Sequence, residues 1–426
     1  MAAFDFPASP TNGQVYSLNG VVFTYNGYGW IQQGNSGGVN TAYVDSQDAL
    51  RVAKVGDTMT GHLFLPTGPA AANAVRKDYV DAQDTATLTA AKVYAAPFDA
   101  LAYNGMQING SMEVSQEFGV NNAIVVAGAS KYIVDGWMLQ SNGAQSMFAR
   151  QTNAASSTPG LPMTLQAWCS TANASPASGN FCLFTQRIEG YKISRLGWGG
   201  SNALPVTIGF WINPSVAGLY SGSLRNGAYT RSYVFTFNLV VGWQYITVTI
   251  PGCTDGVWVS DSTNGIEVNI VLMAGSGGQG APGAWAASAA LAAIGTTNAI
   301  TTVNNSMLLS GFALIPGTQA PTAAQSPLIM RPYDQELTMC RRYFQNFLAQ
   351  TDIQAAAAGA YAIAPITFPI EMRATPTFLT RLAPVSNNAT FEAWQSGTNG
   401  SVTLQTYSNA AGRAYYYMDN WADARL

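Results

Sequence analysis

Charge is scarce in this chain of 426 residues: Asp, Glu, Lys and Arg together make up 10%, against roughly a quarter in soluble globular proteins. The net charge is −3, and the basic residues do not cluster beyond Arg341-Arg342. A broad positive field is therefore missing, which argues against nucleic acid as a partner. Histidine is almost absent. The single His62 excludes, within one chain, a metal site built on two imidazoles, and it lies in a stretch with too little apolar bulk to frame a catalytic pocket. Cys169, Cys182, Cys253 and Cys340 are far apart and form no CxxC pair, so they predict four buried free thiols rather than a disulfide framework or a zinc site. No cofactor is called for. Long apolar runs are lacking too. Ala281 to Ile294 falls short of the roughly 20 residues of a membrane span and contains Pro282, Gly283 and Ser288, so membrane insertion is not expected. Met1 to Pro10 has no basic start followed by an apolar core, which predicts no export signal.

What the chain does have is a spaced repeat. Tyr43-Val44-Asp45-Ser46-Gln47-Asp48 returns as Tyr79-Val80-Asp81-Ala82-Gln83-Asp84, and Gly56-Asp57-Thr58-Met59-Thr60-Gly61-His62-Leu63 stands between the copies. A poor heptad near Val39 to Arg51 and an Ala-dominated helix over about Ala71 to Val93 would bury little alone. Self-association is the natural remedy, so residues 39–100 read as a helical stalk. Before it, residues 1–38 read as a small β module, with Asn19-Gly20 marking a hairpin and Asn26-Gly27-Tyr28-Gly29 a second turn ahead of Trp30.

From 101 to 325 the pattern has period two. Tyr233, Phe235, Phe237 and Leu239 alternate with smaller or polar residues, and Ile266, Val268, Ile270 and Leu272 place Glu267 and Asn269 on the opposite face; both predict an antiparallel β-sandwich. Pro332, Asp334 and Glu336 then open a stripe of Tyr333, Leu337, Cys340, Phe344 and Phe347, which predicts an amphipathic linking helix within 326–350. Residues 351–426 return to strand-like alternation and predict a small C-terminal β domain. The fold class is mainly β.

Sugar recognition uses aromatic faces together with side chains that bond hydroxyls. Three polar, aromatic stretches fit as loops: Ala217 to Arg231 with Tyr220, Arg225, Asn226 and Tyr229; Cys253 to Asn264 with Trp258 and Asp261; Gly275 to Ser288 with Trp285. Tyr220 and Tyr229, close to Gly218, Gly222 and Gly227, are expected to be exposed, whereas for Trp258 and Trp285 a place in the sandwich core is favoured over an exposed one. Trp394 beside Gln395-Ser396-Gly397 is a comparable loop candidate, and Trp168 and Trp198 are further ones. For glycan hydrolysis the best carboxylate pair is Asp255 and Asp261, although Asp255-Gly256 is also ordinary turn chemistry. Gly275 to Gly280 matches GxGxxG, but Pro282 interrupts the helix a dinucleotide site needs, and the stretch reads as a loop.

Several motifs point further when taken together. Phe6-Pro7-Ala8-Ser9-Pro10 with Tyr25-Asn26-Gly27 and Trp30, the GDTMTG turn followed by Tyr79-Val80-Asp81, Arg331-Pro332-Tyr333-Asp334-Gln335-Glu336-Leu337, and the ending Trp421-Ala422-Asp423-Ala424 resemble bacteriophage tail fibres and receptor-binding proteins. In these, the sandwich is similar to a carbohydrate-binding-module-like jelly roll. The resemblance implies a homotrimer with a coiled-coil stalk, attached through its N-terminal module to other virion tail or baseplate proteins. It implies synthesis in the host bacterial cytoplasm, residence in the virion, and host adsorption through a surface polysaccharide such as lipopolysaccharide or capsule, without catalysis. It departs at Ile315, where such proteins often carry Glu. A glycan depolymerase tailspike and a purely structural fibre or baseplate component remain alternatives.

Overall fold

The computed structural model describes residues 5–33, 77–94, 105–121, 124–153, 160–395 and 397–426. They belong to two compact units, Met1–Ala91 and Lys92–Leu426, with the helix Lys77–Tyr94 running across the division. In the first unit, strands Val15–Leu18 and Val21–Tyr25 pair antiparallel and Trp30–Gln32 adds a third. Asn19 and Gly20 both take positive φ, 52° and 79°, the conformation a two-residue hairpin turn demands and Asn-Gly adopts cheaply. Phe6 stacks on Trp30 with ring centroids 5.2 Å apart, and Tyr16, Phe23 and Tyr25 close around them. This aromatic cluster supplies the burial that so short a module otherwise lacks. Of the expected stalk, the helix Lys77–Tyr94 is described, with Val80 and Leu88 exposed. The first copy of the repeat, the heptad near 39–51 and the GDTMTG turn lie outside the described residues.

The second unit holds two sheets packed face to face. One has six strands in the order Gln244–Ile250, Val206–Pro214, Ser306–Pro316, Met163–Thr171, Ser146–Asn153 and Ile124–Ala127. The other has seven: Trp285–Ala286, Ser232–Leu239, Gly218–Asn226, Asn264–Ala274, Phe181–Glu189, Trp137–Asn142 and Ser130–Val134. All the pairings within them are antiparallel. The alternating residues Tyr233, Phe235, Phe237 and Leu239, and Ile266, Val268, Ile270 and Leu272, all enter the shared core with Trp137, Phe184, Phe210 and Phe312. The four cysteines are buried and free. Ile315 is covered by Ile329, so an apolar residue suits that position.

Glu267 and Asn269 do turn to the outer face, yet both are fully buried. That face of the seven-stranded sheet is itself covered. On one side Leu291 and Ala292 lie on Leu183 and Val271, and Ala290 and Ala293 on Val234. On the other, the chain's last residues fold back: the Leu426 carbonyl accepts from Arg187 Nη1 and from the Tyr132 hydroxyl, both at 2.8 Å.

The linking helix is shorter than its apolar stripe predicts. It spans Tyr333–Arg341, and Phe344 and Phe347 belong instead to the strand Phe344–Ala355. A twelve-residue ladder with Gly412–Asp423 outweighs one more helical turn, and it sends Phe347 into an aromatic cluster with Phe368, Phe378 and Trp394. The two strands join Thr377–Thr380 and Val385–Asn387 in one sheet of a second, smaller sandwich; Tyr361–Thr367, Ser401–Ser408 and Ala389–Gln395 form the other. Its core mixes the alanines Ala349, Ala389, Ala414, Ala422 and Ala424 with Leu404, Tyr416, Met418, Phe368, Met372 and Val402. Among the described residues, no helix is long and apolar enough to cross a membrane.

Candidate functional site

The predicted residues separate into three environments. Ala217 to Arg231 is mostly strand, not loop, because its glycines serve close packing rather than turning. A Cβ on Gly222 would meet the Phe235 ring at 2.4 Å. Tyr220, expected to be exposed, is fully buried and donates its hydroxyl to the Val216 carbonyl at 2.7 Å. Asn226 is buried too. Its Oδ1 accepts from the Thr230 and Arg231 backbone N–H groups at 2.8 and 2.9 Å, and its Nδ2 donates to the Val257 carbonyl, so it staples a turn. Arg225 and Tyr229 converge on Glu267: the Arg225 guanidinium pairs with its carboxylate, the Tyr229 hydroxyl donates to it at 3.0 Å, and Arg187 Nε does so at 3.1 Å. Burial works to raise the Glu267 carboxyl, but Arg225 and Arg187 outweigh it and hold it below the ordinary value. These groups satisfy one another and bind the strands together.

The second environment is one end of the large sandwich. Trp258 and Trp285 meet Trp198, with ring centroids 4.6, 5.2 and 5.5 Å apart and interplanar angles of 72° to 84°. Their indole N–H groups all donate to backbone carbonyls, of Asp255, Pro251 and Leu204. Rings set nearly at right angles offer no shared platform to a sugar; the cluster closes the end of the core. Asp255 is gripped by Arg231 through two bonds of 2.9 and 2.8 Å, and Asp261 accepts the Thr263 backbone N–H at 2.8 Å. Those partners hold both carboxyls below the ordinary range. A general acid for glycoside hydrolysis needs the opposite shift. Trp394, also expected in a loop, sits in the strand Ala389–Gln395 against Phe347, Phe378 and Phe391.

The third environment contains one of the predicted residues, Trp168. On the outer face of the six-stranded sheet, Val125, Phe148, Trp168 and Ser306 stand opposite one another on four adjacent strands. Beside them runs a second row of Arg150, Gln166, Leu308 and Asn213. Phe148 and Trp168 stack at 5.4 Å between centroids with 28° between planes. Arg150 lies over the Trp168 ring at 5.2 Å, and its Nε donates to Gln166 Oε1 at 2.9 Å. Phe148, Arg150, Gln166 and Trp168 are half-buried and Val125 is exposed. The signal for this site lies in the sequence. Ala149 and Ala167 point inward while Phe148, Arg150, Gln166 and Trp168 beside them point outward, so at this level of the two strands the larger side chains lie on the outer face, although Met147 and Leu165 still enter the core. Flat aromatic area next to amide and guanidinium donors is the chemistry that stacks on a sugar ring and bonds its hydroxyls.

No protein-family model matches this chain, and no curated protein does. Among solved structures it is similar to the enzymatically active domain of tailspike protein 4 of bacteriophage CBA120, at 10% identity over 50% of this chain and 22% of that one, with a TM-score of 0.26. The chain thus spans less than a quarter of that domain's length. It is also similar to the carbohydrate-binding module CBM4, at 12% identity over 49% and 97% of the two chains and a TM-score of 0.25. The family 11 carbohydrate-binding module from Clostridium thermocellum, solved with a mixed-linked tetrasaccharide, is 8% identical over 46% and 98%, with a TM-score of 0.24.

Proposed function

We propose that this protein binds carbohydrate without cleaving it, as the receptor-binding tail fibre of a phage that adsorbs to a bacterial surface glycan. The stacked Phe148–Trp168 pair on an open sheet face, flanked by Arg150 and Gln166, carries the binding part of this reading. The N-terminal motifs and the YVD repeat support the assignment to a fibre. The partnered state of Asp255 and Asp261 supports the absence of hydrolysis. A shallow sheet-face site gives modest affinity, and a homotrimer would multiply it, since linked sites gain about 10²- to 10⁴-fold in avidity.

The test is a bacterial glycan array probed with the full chain and with Trp168→Ala. The wild type should retain a defined set of polysaccharides, and the variant should lose at least tenfold in binding while unfolding at an unchanged temperature. Equal binding by the two would remove the sheet face from consideration, and release of reducing ends from a bound polysaccharide would overturn the non-enzymatic reading.

A further inference from the structure

An exposed edge strand offers free N–H and C=O groups to any passing chain, and proteins blunt it by keeping it short, charging it, bulging it or placing proline in it. Most edges of this protein are blunted in that way. In the large sandwich, Ile124–Ala127 and Trp285–Ala286 are short, and Ser130–Val134 carries Lys131 and a break in register at Ile133. In the small one, Tyr361–Thr367 contains Pro365, Ala389–Gln395 bulges at Glu392, Phe344–Ala355 carries Asp352, and Thr377–Thr380 and Val385–Asn387 are short. The edge strand Gln244–Ile250 of the six-stranded sheet has none of these devices. Its seven residues pair one for one with 206–212 without a shift in register, and no Asp, Glu, Lys or Arg stands between Arg231 and Asp255. Among the described residues, its backbone bonds to no segment other than Val206–Pro214. We propose that this edge is an interface, at which a second copy of the chain adds the same strand antiparallel across a two-fold axis at Thr247.

The strand suits its own copy as a partner. A two-fold axis at Thr247 overlaps the whole strand, setting Thr247 opposite itself, Tyr245 opposite Thr249 and Ile246 opposite Val248. Aromatic with β-branched and threonine with threonine are favourable cross-strand neighbours, and like charges face to face are the usual penalty of self-pairing. Here there is no charge to repel. The inner side chains supply the second reason. Ile246 and Val248 pack against the large core yet stay only half-covered, whereas Phe210 and Ile208, their partners in the adjacent strand, are fully buried. A strand laid alongside would close that rim with the same two residues. Val240 and Val241, exposed in the hairpin leading into the strand, add apolar surface at its start.

The edge is about 24 Å long at 3.4 Å per residue and one strand thick, well short of the roughly 800 Å² per partner that a stable interface buries. The contact is therefore weak, forming above about 100 µM chain. It adds to whatever oligomer the rest of the chain builds and does not depend on the carbohydrate reading.

Sedimentation velocity of the full chain, from about 5 to about 500 µM, tests it across that range. The mass of the wild type should at least double over its low-concentration value. Thr247 is exposed, so Thr247→Lys and Thr247→Glu should leave the unfolding temperature unchanged. Each sets like charges opposite one another, and each should need at least fivefold more protein for the same rise. The two variants, purified separately and mixed in equal amounts at low ionic strength, should regain the wild-type rise, because unlike charges then meet at the axis. A wild-type mass that does not rise, or a Thr247→Lys protein that associates as readily as wild type, would overturn the proposal. So would a mixture that stays apart, which would assign the edge to an extended segment of a different protein. A monomeric low-concentration mass would remove the trimer but leave this test intact.

Discussion

Glu267 has no exposed surface and is held by two arginines, a tyrosine hydroxyl and the Asn269 amide. The cluster spans three adjacent strands of the seven-stranded sheet, so one side chain fixes their mutual register. Glu267→Gln would leave two guanidinium groups facing a neutral amide, and removing one partner of a buried ion pair costs about 3 kcal/mol or more. Urea unfolding should show that loss; a change under about 1 kcal/mol would mean that the arginines turn to solvent instead. Asp135 behaves in the opposite sense. Burial raises its carboxyl to about 6, against bonds from the Gln116 side chain and backbone that favour the charged form. Its folded-state pKa lies above the ordinary 3.8, so the folded protein binds the extra proton, and this residue's contribution to stability grows as pH falls from about 6 toward 4. The full span is about 3 kcal/mol at 1.36 kcal/mol per unit. Comparing wild type with Asp135→Asn at pH 7 and pH 4.5 isolates the effect: the difference in unfolding free energy should move in favour of the wild type at the lower pH.

At the scale of elements, what the sequence revealed follows from how each face is buried. The strands Ser232–Leu239 and Asn264–Ala274 were readable because one side chain in two enters a single core, and that constraint imprints period two. Glycines misled where they serve contact instead of turning. Gly222 lets Phe235 and the Asn269 backbone approach, so a stretch that looks like loop runs as strand, and Tyr220 goes inward with it. The helix Tyr333–Arg341 was legible at its start, from Pro332 and the acidic first turn, but not at its end. Nothing local in Phe344–Phe347 announces a ladder with residues nearly eighty positions later. The aromatic sheet face was hidden for a related reason. Phe148 and Trp168 come from strands that meet only through the register of the folded sheet, and their outward direction shows solely in the inward alanines between them. The edge position of the strand Gln244–Ile250 had no sequence signature at all, since strand order depends on which distant segments pair.

For the whole molecule, the N-terminal repeat and the exposed Val80 and Leu88 of the helix Lys77–Tyr94 fit a chain that associates with copies of itself. Light scattering on the purified protein at micromolar concentration should give three times the chain mass of 45.0 kDa; a stable monomer would remove the trimer, and with it the avidity on which weak binding relies. The large sandwich is also two-sided in an unequal way. Its seven-stranded sheet is roofed by a loop and by residues up to Leu426, while among the described residues no sheet or helix packs on the Phe148–Trp168 part of its six-stranded sheet. The row from Val125 to Ser306 crosses three interstrand gaps, about 14 Å. If the proposed glycan lay along that row, several of its units would be met broadside at once, as a ruler is read along its edge, so the proposed site would measure a stretch of chain instead of capturing an end.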